Sequence, residues 1–95
     1  MKKQKCCDYK KESLINFKKA NTLLTKIIKM TEENKYCVDI MQQNLAVIGL
    51  IKSANQKLLE GHLNSCFKNV MNSKNIIKQR KMIDEILQLN KLANK

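Results

Sequence analysis

The sequence contains no proline and only two glycines among its 95 residues. These two residue types most often end helices and form the tight turns of hairpins. Leucine, isoleucine, lysine, asparagine and glutamine are abundant instead. Such a composition favours an all-α fold, in which long helices are joined by short connections, and the length allows one domain at most.

Long apolar runs are also missing. None approaches the ~18 residues that a membrane-spanning helix needs, so we expect no membrane partner. The first eleven residues are charged and no apolar segment follows them, which is unlike a secretory signal. We therefore expect a cytoplasmic protein whose thiols stay reduced, and we interpret the four cysteines as ligands or redox sensors rather than as a disulfide framework.

Groups typical of enzymes are absent as well. The sequence shows no paired carboxylates in a plausible cleft, no glycine-rich phosphate loop and no Ser-His-Asp set. His62 and Cys66 are a possible base and nucleophile, but no third residue is placed to orient them. We predict a protein that is not an enzyme and has no small-molecule substrate.

Basic residues outnumber acidic residues by 19 to 8, which gives a formal net charge of +11. This excess indicates a polyanionic partner, either nucleic acid or an anionic surface, and a merely solvated lysine face is the alternative. Arg80 is the single arginine. The lysines are therefore expected to contact phosphates, which position a protein without reading base sequence.

The apolar periodicity predicts a three-helix protomer. Residues 1–10 are expected to form a flexible basic arm, containing Cys6 and Cys7, and residues 11–95 a helical domain. The expected helices run from about 11–31, 37–70 and 76–92. The first should bury one stripe, which consists of Leu14, Phe17, Ala20, Leu23, Leu24 and Ile27. The apolar face of the second consists of Met41, Leu45, Ile48, Ile51, Leu58 and Leu63.

The length of the second helix predicts an assembly. About thirty residues at 1.5 Å each give roughly 45 Å. A compact monomer of this size is only about 30–35 Å across. Another subunit must therefore cover the apolar face of this helix. We predict an obligate homodimer, formed as an antiparallel four-helix bundle from two helical hairpins, which can double to a homotetramer, a dimer of dimers.

Cys37, His62 and Cys66 are the candidate metal ligands. His62 is the only histidine, and Cys66 follows it by four positions, so both project from one helical face. Two thiolates and one imidazole suit a soft cation such as Cu(I) and are too few for a closed structural zinc site. Simple packing of small cysteines and a hydrogen-bonded histidine is the alternative.

Spacing separates Cys37 from the other two candidates. It lies twenty-five positions before His62, roughly 37 Å along a straight helix. One protomer cannot bring them to one ion. In an antiparallel pair of such helices, Cys37 of one chain comes beside His62 and Cys66 of the other, and two-fold symmetry predicts two equivalent sites per dimer.

Two stretches of the sequence stand out. The first, from Met30 to Ile40, contains Tyr36-Cys37, and the second, from Leu58 to Cys66, contains Gly61-His62. With Gln43, Ala46 and Val47, these residues resemble the copper-sensing repressor (CsoR) family, over about residues 14–92. The resemblance implies a metal-responsive transcriptional repressor without a conventional helix-turn-helix, which binds operator DNA and is released by its ligand. It also implies that the two cysteines and the histidine form a three-coordinate Cu(I) site.

The same resemblance implies supporting roles for other residues. Tyr36 and Glu85 would orient the ligand histidine from outside the metal shell. The family's usual arginines are replaced here within Thr22–Thr25 and Ala46–Ile48. We expect five lysines to contact the DNA phosphates in their place: Lys18, Lys19, Lys26, Lys29 and Lys52.

Alternatives remain open within the family. The nickel/cobalt branch needs histidines that this chain lacks, and the formaldehyde branch lacks the second cysteine. The persulfide-sensing branch (CstR) uses the two cysteines alone, so a reactive-sulfur sensor is one alternative. A copper-buffering protein without specific DNA binding is another, because the arginines are missing.

Overall fold

The computed structural model describes residues 9–93, and all regular structure within them is helical, which confirms the all-α fold class. The elements are α1 (Lys10–Glu32), α2 (Cys37–His62), a π-helix (Leu63–Phe67), α3 (Lys68–Asn72) and α4 (Ile76–Ala93). The chain runs from α2 through the π-helix into α3 without a break, so these three form one long segment. Cys6 and Cys7 of the predicted arm lie outside the described residues.

A tight reversal joins α1 to α2. The Lys35 N–H donates to the Met30 carbonyl at 2.9 Å and the Asn34 N–H to the Thr31 carbonyl at 3.2 Å, which is the hydrogen-bond pattern of a Schellman motif. Asn34 has φ 55°, in the left-handed region that asparagine tolerates better than most residues. This turn, at the predicted position, determines where α2 begins with Cys37.

Polar side chains hold α1 and α2 together as an antiparallel hairpin. The buried Ser13 hydroxyl donates to the Ala54 carbonyl at 3.1 Å, and the Asn16 amide donates to the Leu50 carbonyl at 3.2 Å. As the chain advances along α1, its partners move backwards along α2. Small and polar residues at this seam let the two backbones come close, and the side-chain hydrogen bonds fix the register.

The predicted buried stripe of α1 is wrong in part. Ala20 and Ile27 are buried as expected, but Leu14, Phe17 and Leu24 are exposed. The neighbouring face, which includes Ser13 and Asn16, packs on α2 instead. The physical reason is that both polar side chains find carbonyl partners across the seam, so their burial costs little. The large apolar residues are left on an uncovered flank.

The protomer is elongated. Its radius of gyration is 17.7 Å and its extents are 58 × 32 × 17 Å. A compact chain of this length has a radius of gyration of about 12–13 Å. Among the described residues the buried apolar side chains are only those of Ala20, Ile27 and Ala54. So small a core agrees with the expectation that another subunit covers the apolar faces, and the assembly itself stays a prediction.

The fourth helix is attached through its first turns. The Gln79 amide donates to the carbonyls of Met71 at 3.2 Å and Ser73 at 2.7 Å. The Asn75 side chain accepts a hydrogen bond from the Lys78 N–H at 3.1 Å and so caps the helix start. No described residue of α4 is buried. Across residues 9–93, no helix has a stretch long and apolar enough to span a membrane.

Candidate metal centre

The face of α2 that points away from α1 carries a row of exposed apolar residues, which continues into the first residue of the π-helix. We call it the outward stripe, and it consists of Met41, Leu45, Ile48, Leu59 and Leu63. At about 100° per residue, these positions share one side of the helix. The backbone carbonyls of Leu50 and Ala54, which bond α1, mark the opposite side. The sequence predicted this apolar face, and the structure shows that α1 does not cover it.

The three candidate ligands lie at the two ends of the outward stripe. Cys37 begins α2 one turn before Met41, and it is a free, exposed cysteine. His62 ends α2, three residues after Leu59, and is half-buried. The intervening α-helix is continuous, so Cys37 and His62 are roughly 37 Å apart along its axis. Within residues 9–93 of one protomer, no three ligand-type side chains form a metal-binding cluster.

Cys66 lies in a π-helix, which the sequence analysis did not anticipate. The predicted helix through about Val70 is confirmed as one continuous helical segment, but over Leu63–Phe67 its turn is the wider π type rather than α. Short π segments within α-helices often occur at functional sites. Nothing in the apolar spacing signals this change, although Gly61, immediately before the candidate ligand His62, is an unusual residue inside a helix.

The structure also departs from the expectation of reduced thiols, because Cys66 is disulfide-bonded. A sulfur atom in a disulfide is not a thiolate, and thiolates are the form that binds metals. Metal binding at Cys66 therefore requires reduction first. Cys37 needs no such step, since it is a free thiol.

Thiol labelling is expected to distinguish the two cysteines. Without reductant, a maleimide should modify Cys37 within minutes and leave Cys66 unmodified, because only a free thiol reacts. After treatment with a phosphine reductant, both should react. Peptide mapping by mass spectrometry reads each site separately. Equal labelling of both cysteines before reduction would contradict the bonded state of Cys66.

The two residues expected to support the ligand histidine lie on different helices. Tyr36 is the residue that precedes α2, beside Cys37, and its side chain is 68% exposed. Glu85 lies on α4, on an open face with Arg80 and Asp84. Within one protomer, α2 separates Tyr36 from His62, so a role for Tyr36 beside the histidine requires a second subunit.

The predicted DNA-contacting lysines divide between two faces. Four are exposed on one broad side of α1, where Lys18 and Lys29 lie opposite the seam with α2 and Lys19 and Lys26 lie beside them, nearer its edge. Lys52 lies instead on the outward side of α2, between Ile48 and Leu59. The five lysines therefore do not form one continuous patch within a protomer. Helical spacing alone already places Lys52 on the same face as Ile48 and Leu59.

The fold and the candidate ligands together define a class of protein. It is a small all-helical protein whose candidate metal ligands, two sulfurs and one nitrogen, lie on its longest helical segment. Residues 9–91 match the model of the metal-sensitive transcriptional repressor family. The chain belongs to this family, which confirms the resemblance read from the sequence.

Curated relatives carry related names. The copper-sensing transcriptional repressor CsoR of Mycobacterium ulcerans (strain Agy99) is 42% identical over 60 residues, which are 63% of this chain and 51% of the relative. CsoR of Mycobacterium bovis (strain BCG / Pasteur 1173P2) is 36% identical over 62 residues, 65% of this chain and 52% of the relative. The copper-sensing transcriptional repressor RicR of Mycobacterium tuberculosis (strain ATCC 25618 / H37Rv) is 42% identical over 40 residues, 42% of each chain.

The chain spans about half the length of the curated relatives it matches. No solved structure matches it.

Proposed function

We propose that this chain is a Cu(I)-responsive transcriptional repressor that acts in the cytoplasm, binds operator DNA without metal and releases it when Cu(I) binds. The family and the names of the curated relatives support this proposal. The observation that carries it is the position of Cys37 at one end of the outward stripe and of His62 and Cys66 at the other.

A two-fold antiparallel pairing of outward stripes brings those ends together. About a centre near position 50, Met41 lies opposite Leu59 of a second copy, and Cys37 lies opposite position 63, between the levels of His62 and Cys66. The exposed apolar residues then become an interface, and two identical sites form. The proposed product is an antiparallel four-helix-bundle homodimer, and the exposed apolar side of α4 allows it to double to a homotetramer.

The donor set fits a soft monovalent cation. Cys37 and Cys66 would supply two thiolate sulfurs and His62 one imidazole nitrogen, a combination suited to Cu(I). Cys66 has to be reduced before it can take part. Tyr36 comes to the same site with Cys37, and Glu85 is the proposed second group that orients His62.

DNA binding is proposed for the lysine face of α1. Lys18, Lys26 and their neighbours are exposed there and form a positive row suited to phosphates. Lys52 lies at the centre of the proposed interface. Its contact with DNA requires its long side chain to reach the rim of that interface.

Copper must favour the released state for regulation to occur. A ligand shifts an equilibrium only by its difference in affinity between two states. A hundredfold loss of DNA affinity corresponds to about 2.7 kcal/mol of coupling. In the proposed dimer, that coupling comes from joining the ends of two α2 helices across the subunit boundary.

A titration of the reduced full chain tests this function. Fluorescence anisotropy with labelled DNA from upstream of the chain's own gene should show tight binding that falls about a hundredfold with Cu(I). X-ray absorption should show two sulfurs and one nitrogen at each copper. DNA binding that is lost at modest salt concentration and does not respond to copper would contradict the repressor function. It would favour copper buffering instead.

Reactive-sulfur sensing is the second candidate. It is favoured because the chain contains both a free thiol, at Cys37, and a cysteine already in a disulfide, at Cys66. His62→Ala separates the two candidates. A Cu(I) sensor should lose its copper response with this change, whereas release of DNA by persulfide or polysulfide should persist, because that chemistry needs only the cysteines.

A further inference from the structure

Tyr9, the residue that precedes α1, packs its aromatic ring on Gly61 in the last turn of α2. A Cβ placed on Gly61 would lie 2.5 Å from the Tyr9 Cβ and would overlap the ring carbons Cγ and Cδ1. No side chain at position 61 is compatible with this ring position. Glycine there allows the aromatic ring to approach the helix backbone directly.

The contact lies where the long segment changes from α to π. Gly61 is followed by His62, the last residue of α2, and then by Leu63–Phe67, which contains Cys66. The Tyr9 ring, packed on the backbone, restricts the last turn of α2. This turn contains His62 and continues into the π-helix that contains Cys66. Tyr9 is therefore placed to determine how both ligands project.

Gly49 provides an internal comparison, because it is the only other glycine in the sequence and it also lies in α2. A Cβ added there meets nothing within 4 Å. Of the two helical glycines, only Gly61 is required by a side chain packed against it.

We infer that Tyr9 is a positioning residue for the Cu(I) site: its ring, packed on Gly61, sets the direction in which His62 and Cys66 project. The inference rests on the proposed function for the identity of the ligand. Its structural part concerns the metal-free chain alone. Since the ring rather than the hydroxyl makes the contact with Gly61, phenylalanine should replace Tyr9 without loss.

Four variants of the reduced full chain test this role. Tyr9→Ala removes the ring, and Gly61→Ala displaces it. Tyr9→Phe keeps the ring, and Gly49→Ala adds the same methyl group elsewhere in α2. In competition with a Cu(I) chelator of known affinity, the first two should bind Cu(I) about tenfold more weakly, as substitutions behind metal ligands typically do. The second two should match the wild type.

Proton NMR provides a readout that needs no metal. His62 is the only histidine, so its imidazole C–H signals are unambiguous. In the metal-free protein their NOE contacts with neighbouring side chains should change in Tyr9→Ala and Gly61→Ala and stay unchanged in Gly49→Ala. The NOE contacts are compared rather than the chemical shifts, because loss of the Tyr9 ring current shifts nearby signals even when the imidazole stays in place. Thermal unfolding of the same samples separates positioning from stability, because a purely structural role would lower the midpoint without changing copper affinity.

The outcomes are distinguishable. If Tyr9→Ala and Gly61→Ala fold, bind Cu(I) as the wild type does and keep the NOE contacts of His62, the positioning role is wrong and the Cu(I) function stands. If the wild type itself binds no Cu(I), the proposed function fails, and the NOE contacts of His62 alone decide the role of Tyr9. If Tyr9→Ala does not fold, Gly61→Ala and Tyr9→Phe still decide it.

Discussion

Mixing two variants that each lack part of the proposed Cu(I) site should restore one complete site per heterodimer. The variants are Cys37→Ser and the double change His62→Ala with Cys66→Ser. In the proposed dimer, Cys37 of the second variant meets the intact His62 and Cys66 of the first, and the other site loses all three ligands. The positions of the candidate ligands at opposite ends of the outward stripe are the physical reason.

The heterodimer is isolated with two different affinity tags after subunit exchange under reducing conditions, and its copper content is measured with a competing chelator. Each parent should bind far more weakly than the wild type, by more than the ~10–100-fold that an outer-shell substitution costs. A heterodimer with no copper site, or a Cys37→Ser homodimer with wild-type affinity, would contradict a site shared between subunits.

Helix boundaries were predictable because local chemistry sets them. The break before α4 is a short polar run that ends in Asn75, whose side chain accepts a hydrogen bond from the Lys78 N–H and so caps the helix that begins at Ile76. The reversal before α2 contains Asn34, one of the few residue types that accept a positive φ. Signals of this kind involve residues only a few positions apart, so a single sequence is enough to reveal them.

The face on which α1 packs was not predictable from hydrophobicity. Ser13 and Asn16 are polar and lie outside the predicted apolar stripe, yet they are buried, with the carbonyls of Ala54 and Leu50 accepting their hydrogen bonds. Those partners are 41 and 34 positions away in the sequence. Apolar spacing reports where hydrophobic residues lie, but not whether a polar side chain will find an acceptor across a helix seam.

The candidate ligands themselves were readable from residue type and spacing, whereas their surroundings were not. The π-helix around Cys66 and the contact of Tyr9 with Gly61 both arise from how distant segments meet. A glycine inside a long helix was the one sequence signal of that contact. The reason for glycine at position 61 becomes clear only from the structure, where the Tyr9 ring packs directly against it.

Leu45→Glu should convert the assembled protein into monomers and thereby remove both Cu(I) binding and operator binding. Leu45 is 67% exposed in the protomer and lies on the outward stripe between Met41 and Ile48, so a substitution there does not disturb the core. Glutamate is also a good helix former and leaves the helix intact. In a dimer built on that stripe, the same carboxylate would be buried without a partner. Such burial costs several kcal/mol, roughly enough to weaken association by a hundredfold or more.

Sedimentation velocity measures the assembly, and circular dichroism checks that helicity is kept. Thr22→Glu is the matched control, because Thr22 is exposed on the lysine face of α1, where its hydroxyl bonds only to the Lys18 carbonyl. It should leave the oligomer and its Cu(I) affinity unchanged while weakening DNA binding, since it places a negative charge among phosphate-contacting lysines. A Leu45→Glu protein with wild-type sedimentation would show that the outward stripe is not the interface, and the two ends of α2 would then have no means of forming a shared copper site.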